Sequence, residues 1–111
     1  MARREKFYES SGNVFKDLGS RHPERVLARA RIMHRIARII RERGLTQDKA
    51  AKILGIPQSK VSCLMNGKLS VFSLEYLFEL LNALGSDVEI IIKPKGRQEK
   101  TATTAVILSA A

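Results

Sequence analysis

The side chains with the most to offer chemically stand together in mid-chain, in the run Gln58-Ser59-Lys60-Val61-Ser62-Cys63-Leu64-Met65-Asn66-Gly67-Lys68. On a helix turning about 100° per residue, Val61, Leu64 and Met65 fall on one side and turn inward. The opposite side holds Ser59, Cys63 and Asn66, with Ser62 at its edge and Gln58 at the N-terminal tip. Two amides, two hydroxyls and a thiol form a hydrogen-bonding face. Gln matches the N6 and N7 edge of adenine with two bonds, and Ser is less selective. Lys60, Asn66 and Lys68 flank that face and suit phosphates. The plain reading of Cys63 is a small, moderately exposed helix residue, not a redox sensor.

Other chemistries lack their groups. No paired carboxylates stand at helical spacing near a histidine, no Gly-rich loop cradles a phosphate, and no Cys/His dyad shares a segment. The chain reads as a non-enzyme. Two isolated histidines and one cysteine do not make a structural zinc site, so no metal or other cofactor is expected. His34, set among arginines, reads as a solvated side chain.

A helix presenting such a face needs a domain behind it. The 111 residues are one domain's worth; 44% are hydrophobic and only 5% aromatic, so the core must be aliphatic. The net charge of +9 suggests a polyanionic partner, most often nucleic acid. That charge is segregated. Arg21, Arg25, Arg29, Arg31, Arg35, Arg38, Arg41 and Arg43 crowd one stretch, whereas Glu75, Glu79, Asp87 and Glu89 occupy residues 69–92 without a Lys or Arg. A single cysteine fits a reducing cytosol, no apolar run approaches a membrane span of about 20 residues, and the N-terminus lacks the apolar core of a signal peptide. The expected location is therefore cytoplasmic, with no membrane partner.

Local signals divide the chain into an N-terminal arm (1–22), a domain (23–94) and a flexible tail (95–111). The arm is expected to lie on the domain through Val14, Phe15 and Leu18. Pro23 and Glu24 start a long amphipathic helix of about 23–43, with an apolar stripe through Val26, Ala30, Met33, Ala37 and Ile40. Gly44 stops it. Thr46 caps a second helix that ends at Gly55; a third runs from about Pro57 or Gln58 to Met65. Ser73 caps a fourth, which is apolar nearly all round and must bury more than one face. Residues 87–93, DVEIIIK, read as a strand with Val88, Ile90 and Ile92 on one face. A lone strand needs a neighbour. The simplest is the same strand of a second subunit, antiparallel, which would put Val88, Ile90 and Ile92 in a dimer interface; the N-terminal arm competes for the place. Ala105–Leu108 is a weaker candidate for an extra strand.

Two short helices joined by a Gly-containing turn, Leu45 to Gly67, fit a helix-turn-helix. In that motif the N-terminal residues of the second helix reach base edges in the major groove. Leu45-Thr46-Gln47, Ala51, Gly55-Ile56, Val61-Ser62 and Asn66-Gly67 resemble the pattern of Xre-type regulators, over about residues 25–84. The resemblance implies a mainly α, lambda-repressor-like domain of four to five helices, here with one short C-terminal strand paired across a dimer. It also makes Gln47 the counterpart of the family's phosphate-contacting Gln, at a helix N-terminus that favours an anion. The implied DNA-binding set is Gln47, Gln58, Ser59, Lys60, Ser62, Cys63, Asn66 and Lys68. The family commonly has Ser or Thr where Pro57 stands. Pro57 cannot cap through a side chain, and taking the first helical position instead would shift the helix start by about one residue.

A wider match, from Ser11-Gly12-Asn13-Val14-Phe15 through Asp87-Val88-Glu89-Ile90, resembles HigA-like antitoxins. Two functions follow from these resemblances. One is a sequence-specific repressor of its own transcription, binding double-stranded DNA as a homodimer. The other is an antitoxin that also neutralises a small HigB/RelE-like ribonuclease toxin.

Overall fold

The computed structural model describes residues 22–110. The expected docking of Val14, Phe15 and Leu18 lies outside them. Four α-helices follow one another: α1 (Pro23–Glu42), α2 (Gln47–Leu54), α3 (Gln58–Met65) and, after a 3₁₀ turn at Leu69–Val71, α4 (Leu74–Ala83).

Each boundary has a local cause. Pro23 opens α1, where the missing N–H costs nothing, and Glu24 sits in the first turn. Thr46 and Ser73 cap α2 and α4, their hydroxyl oxygens accepting from Lys49 N and Tyr76 N, both at 3.1 Å. At the far end of α1, Gly44 N donates to Arg41 O and Leu45 N to Ile40 O, which requires the left-handed φ of +64° at Gly44. Gly67 ends α3 likewise at φ +70°, with Lys68 N donating to Cys63 O at 3.0 Å.

α1 is the spine. It packs against α3, α4 and the 3₁₀ turn, while α2 packs against α3 and α4. The core is aliphatic: Ile36 and Ile40 from α1, Ala50 and Leu54 from α2, Val61 and Leu64 from α3, Leu77, Leu80 and Leu84 from the α4 segment, joined by the fully enclosed ring of Phe72. α4 buries Leu77, Leu80 and Leu81 and half-buries Leu74, Tyr76 and Phe78, so two of its sides are covered, as its all-round apolarity requires.

Two arginines of the charged stretch tie this frame together. Arg29 Nη1 donates to Phe72 O at 3.1 Å and Leu69 O at 3.4 Å, clamping the 3₁₀ turn to α1. Burial lowers the pKa of its guanidinium. Arg43 Nη2 donates to Leu84 O at 2.6 Å and so satisfies a carbonyl at the end of α4.

The expected C-terminal strand is corrected. Residues 87–93 form no strand among the described residues, because a strand exists only in a ladder and no other described segment pairs with them. Their expected alternation is also missing. Val88 is half-buried on the chain's own core, and Ile90, Ile91 and Ile92 are all exposed, at 68%, 81% and 92%. The C-terminal residues return to α1: Arg31 Nη1 donates to Val106 O at 2.8 Å and Arg35 Nη2 donates to Ser109 O. Among the described residues no helix is long and apolar enough to cross a membrane.

Leu77 is fully enclosed, and truncating it leaves a cavity no neighbour fills. Leu77→Ala is expected to lower the unfolding free energy by about 2–5 kcal/mol, read as a lower denaturant midpoint at unchanged slope. Ile53→Ala, at a site 44% exposed, should change it by no more than about 0.5 kcal/mol.

Candidate nucleic-acid interface

α3 has an inner and an outer side, and the inner one is anchored. Val61 and Leu64 have 0% and 1% exposure, so the helix has little freedom to roll. Met65, also expected inside, is half-buried at the margin. With that side held, Gln58 and Ser59 stand exposed at the N-terminal tip, and Asn66 and Lys68 are exposed at the other end. Ser62 and Cys63 lie between them, half-buried; Cys63 packs partly against the core. Asn66 Nδ2 donates to Ser62 Oγ at 3.4 Å, which orients both polar groups along one edge of the helix.

The helix start is settled by Pro57. It stands at the N-cap with φ −63° and ψ 152°, not at the first helical position, so α3 begins at Gln58. Pro57 offers no side-chain cap, but its carbonyl accepts from Lys60 N at 2.9 Å and Val61 N at 3.2 Å. The free N–H groups of the first turn therefore belong to Gln58 and Ser59, where a bound anion or base acceptor would meet them. Gln47 begins α2 in the same way and is exposed.

Lys60 is placed differently from the other flanking groups. It is half-buried, with its ammonium 5.2 Å from the ring centroid of Tyr76. Tyr76 in turn packs on Phe72, at 5.4 Å between centroids. A cation over an aromatic face is held there by about 0.5–1 kcal/mol when partly exposed, which positions the ammonium without neutralising it. Sequence spacing carries no signal for this pair, because Lys60 and Tyr76 meet only once the chain is folded. Beyond Tyr76 a shallow depression is lined by Ser73, Glu75 and Glu79, and these carboxylates mark where the surface ceases to favour phosphates.

Arginines supply most of the positive charge, yet Arg29, Arg31, Arg35 and Arg43 direct donors to backbone carbonyls. Lys60 lies on α3 itself and Lys68 just beyond its end. Among the described residues no group of three metal-ligating side chains assembles. An apolar groove of about 240 Å³ runs between α1 and α3, past Ala30, Met33, His34 and Met65.

Comparison with known proteins supports the helix-turn-helix fold. A family model described as a helix-turn-helix domain matches residues 14–93. A solved structure named for the XRE family of transcriptional regulators is 41% identical, covering 78% of this chain and 98% of its own, with a TM-score of 0.73. None of the curated proteins matches the chain.

Proposed function

Since the chain belongs to the Xre family of helix-turn-helix transcriptional regulators and is a DNA-binding protein of that kind, we propose that it represses its own transcription, binding a near-palindromic operator as a homodimer. The observation that carries this reading is the exposed edge of α3, presented by a helix whose opposite side is fully buried. Gln58, Ser59, Ser62 and Cys63 read base edges, and Gln47, Lys60, Asn66 and Lys68 hold phosphates. Small polar readers discriminate modestly, so part of the sequence choice falls to DNA shape.

The dimer is supported by residues 87–93. Antiparallel pairing about Ile90 sets Asp87 opposite Lys93 of a second copy and Val88 opposite Ile92, so the segment complements itself in charge and in apolar character. It would also cover the three isoleucines that the single chain leaves bare. Two copies would then place their α3 helices in half-sites about 34 Å apart.

The antitoxin reading keeps one supporting feature. Glu75 and Glu79 line an acidic face beside the DNA-binding surface, and a basic ribonuclease toxin would be attracted to it. A ribonuclease-like reading frame next to the gene, whose product co-purifies with this chain, is the observation that would favour it.

Purified protein is expected to prefer its own upstream DNA over a scrambled duplex by about 10³ or more. Equal and steeply salt-dependent binding to both would remove the operator from that position. Lys60→Ala and Lys68→Ala should each weaken binding to every sequence and lower the salt slope by about 1; an unchanged slope would leave that lysine off the phosphates. Ile90→Asp should give a monomer by light scattering, and a variant that stays dimeric would move the interface elsewhere.

A further inference from the structure

Six large apolar residues are exposed among the described residues, and four of them, Ile90, Ile91, Ile92 and Ile107, lie in the two C-terminal segments that form no helix. The first segment is the self-complementary run 87–93. The second, 103–109, has its own pattern. Val106 and Leu108 are half-buried, Val106 against the core, whereas Ala105, Ile107 and Ser109 are exposed, with Ile107 at 94%. Period-two burial of this kind is the signature of a strand with one face docked.

The segment is held to α1 by the Arg31 bond to Val106 O and the Arg35 bond to Ser109 O. In an extended chain the N–H and C=O of Ala105 and Ile107 lie on one edge, and neither residue has a backbone hydrogen-bond partner among the described residues. Residues 101–110 contain no charge and no proline. Exposed strand edges in soluble proteins are normally guarded by one or the other; here the Arg35 guanidinium reaches this edge only at Ser109, and the stretch from Ala105 to Ile107 has neither guard. Residues 87–93 of the same chain do not cover it. The two segments exchange no backbone hydrogen bond, although a turn closed by Glu99 N donating to Gly96 O joins them.

We propose that residues 103–109, clasped to α1 by Arg31 and Arg35, form an outer strand of the dimer sheet and pair with residues 87–93 of a second copy. Each chain then contributes two strands, and Ile107 becomes a cross-strand neighbour of the isoleucines of residues 90–92. The inference rests on the dimer proposed above and adds to it a second contact and the two arginines that position it. The occupant is a second copy because 87–93 offers an exposed apolar run of the same seven-residue length, already the proposed dimer segment.

The test uses the full chain, the variant Ile107→Asp and a chain ending at Thr101. Ile107 is almost wholly exposed, so Ile107→Asp should leave the helical core intact, whereas the truncation also removes the Val106 contact; circular dichroism checks both. Both should raise the dimer dissociation constant by on the order of tenfold, since several cross-strand pairs are lost, each contributing about 0.2–1 kcal/mol. In hydrogen exchange of the full chain, amides of Ala105 and Ile107 should gain protection only at concentrations where it is dimeric. A full chain that is dimeric, with an unchanged constant in both variants and unprotected 103–109 amides, overturns this inference and leaves the dimer standing. A full chain that is monomeric throughout overturns the dimer itself. Protection independent of concentration would place the covering segment within the chain and also overturn the inference.

Discussion

Everything this protein presents to DNA depends on how the inner side of α3 is seated. Val61 and Leu64 are enclosed together with Ile36 and Ile40 of α1, Leu54 of α2 and Leu77 of α4 in one aliphatic cluster. Interiors packed at crystal-like density do not let a helix rotate by half a residue without opening voids. The outward direction of Gln58, Ser59 and Asn66 therefore follows from the packing of residues that never meet solvent. α3 has only eight residues and would not hold a helical shape by itself in water. Its order is borrowed from α1, the one long helix, which touches α3, α4 and the turn between them.

The arginines show how charge is divided between frame and surface. Their crowding in one stretch points to a polyanionic partner for the protein as a whole and locates no contact. Arg29 and Arg43 instead satisfy carbonyls at the 3₁₀ turn and at the end of α4, places where a helix terminus leaves acceptors without donors. Arg31 and Arg35 do the same for the C-terminal segment. These bonds carry charge-assisted strength, and they keep the segments flanking the helix-turn-helix in register with α1. Lys60 lies on α3 and Lys68 just past its end, Lys60 steadied over Tyr76. Net charge thus draws the protein toward DNA as a whole, while a few side chains set where contact is made.

Much of the fold was legible along the chain. Pro23, Thr46 and Ser73 mark helix starts, and Gly44, Gly55, Gly67 and Gly85 mark helix ends, because caps act within a few residues of backbone and need no distant partner. The two sides of α3 were legible for the same reason, since a 3.6-residue period alone separates Val61 and Leu64 from Ser59 and Asn66. Pro57 was harder. Its fixed φ suits both the N-cap and the first helical position, and only ψ, set by the turn from Gly55 to Gln58, places it at the cap.

The sequence by itself determined which residues form helices, which sides of them are apolar, and which polar groups are left on α3, because these follow from local geometry and the period of the pattern. The tertiary structure alone decided the rest. Lys60 meets Tyr76 across 16 positions, and Arg29 meets Phe72 across 43. Val106 returns to Arg31 across 75, and the isoleucines of 90–92 stay exposed among the described residues. Such contacts have no period and no local signature; they exist only where packed helices bring distant parts of the chain within bonding distance.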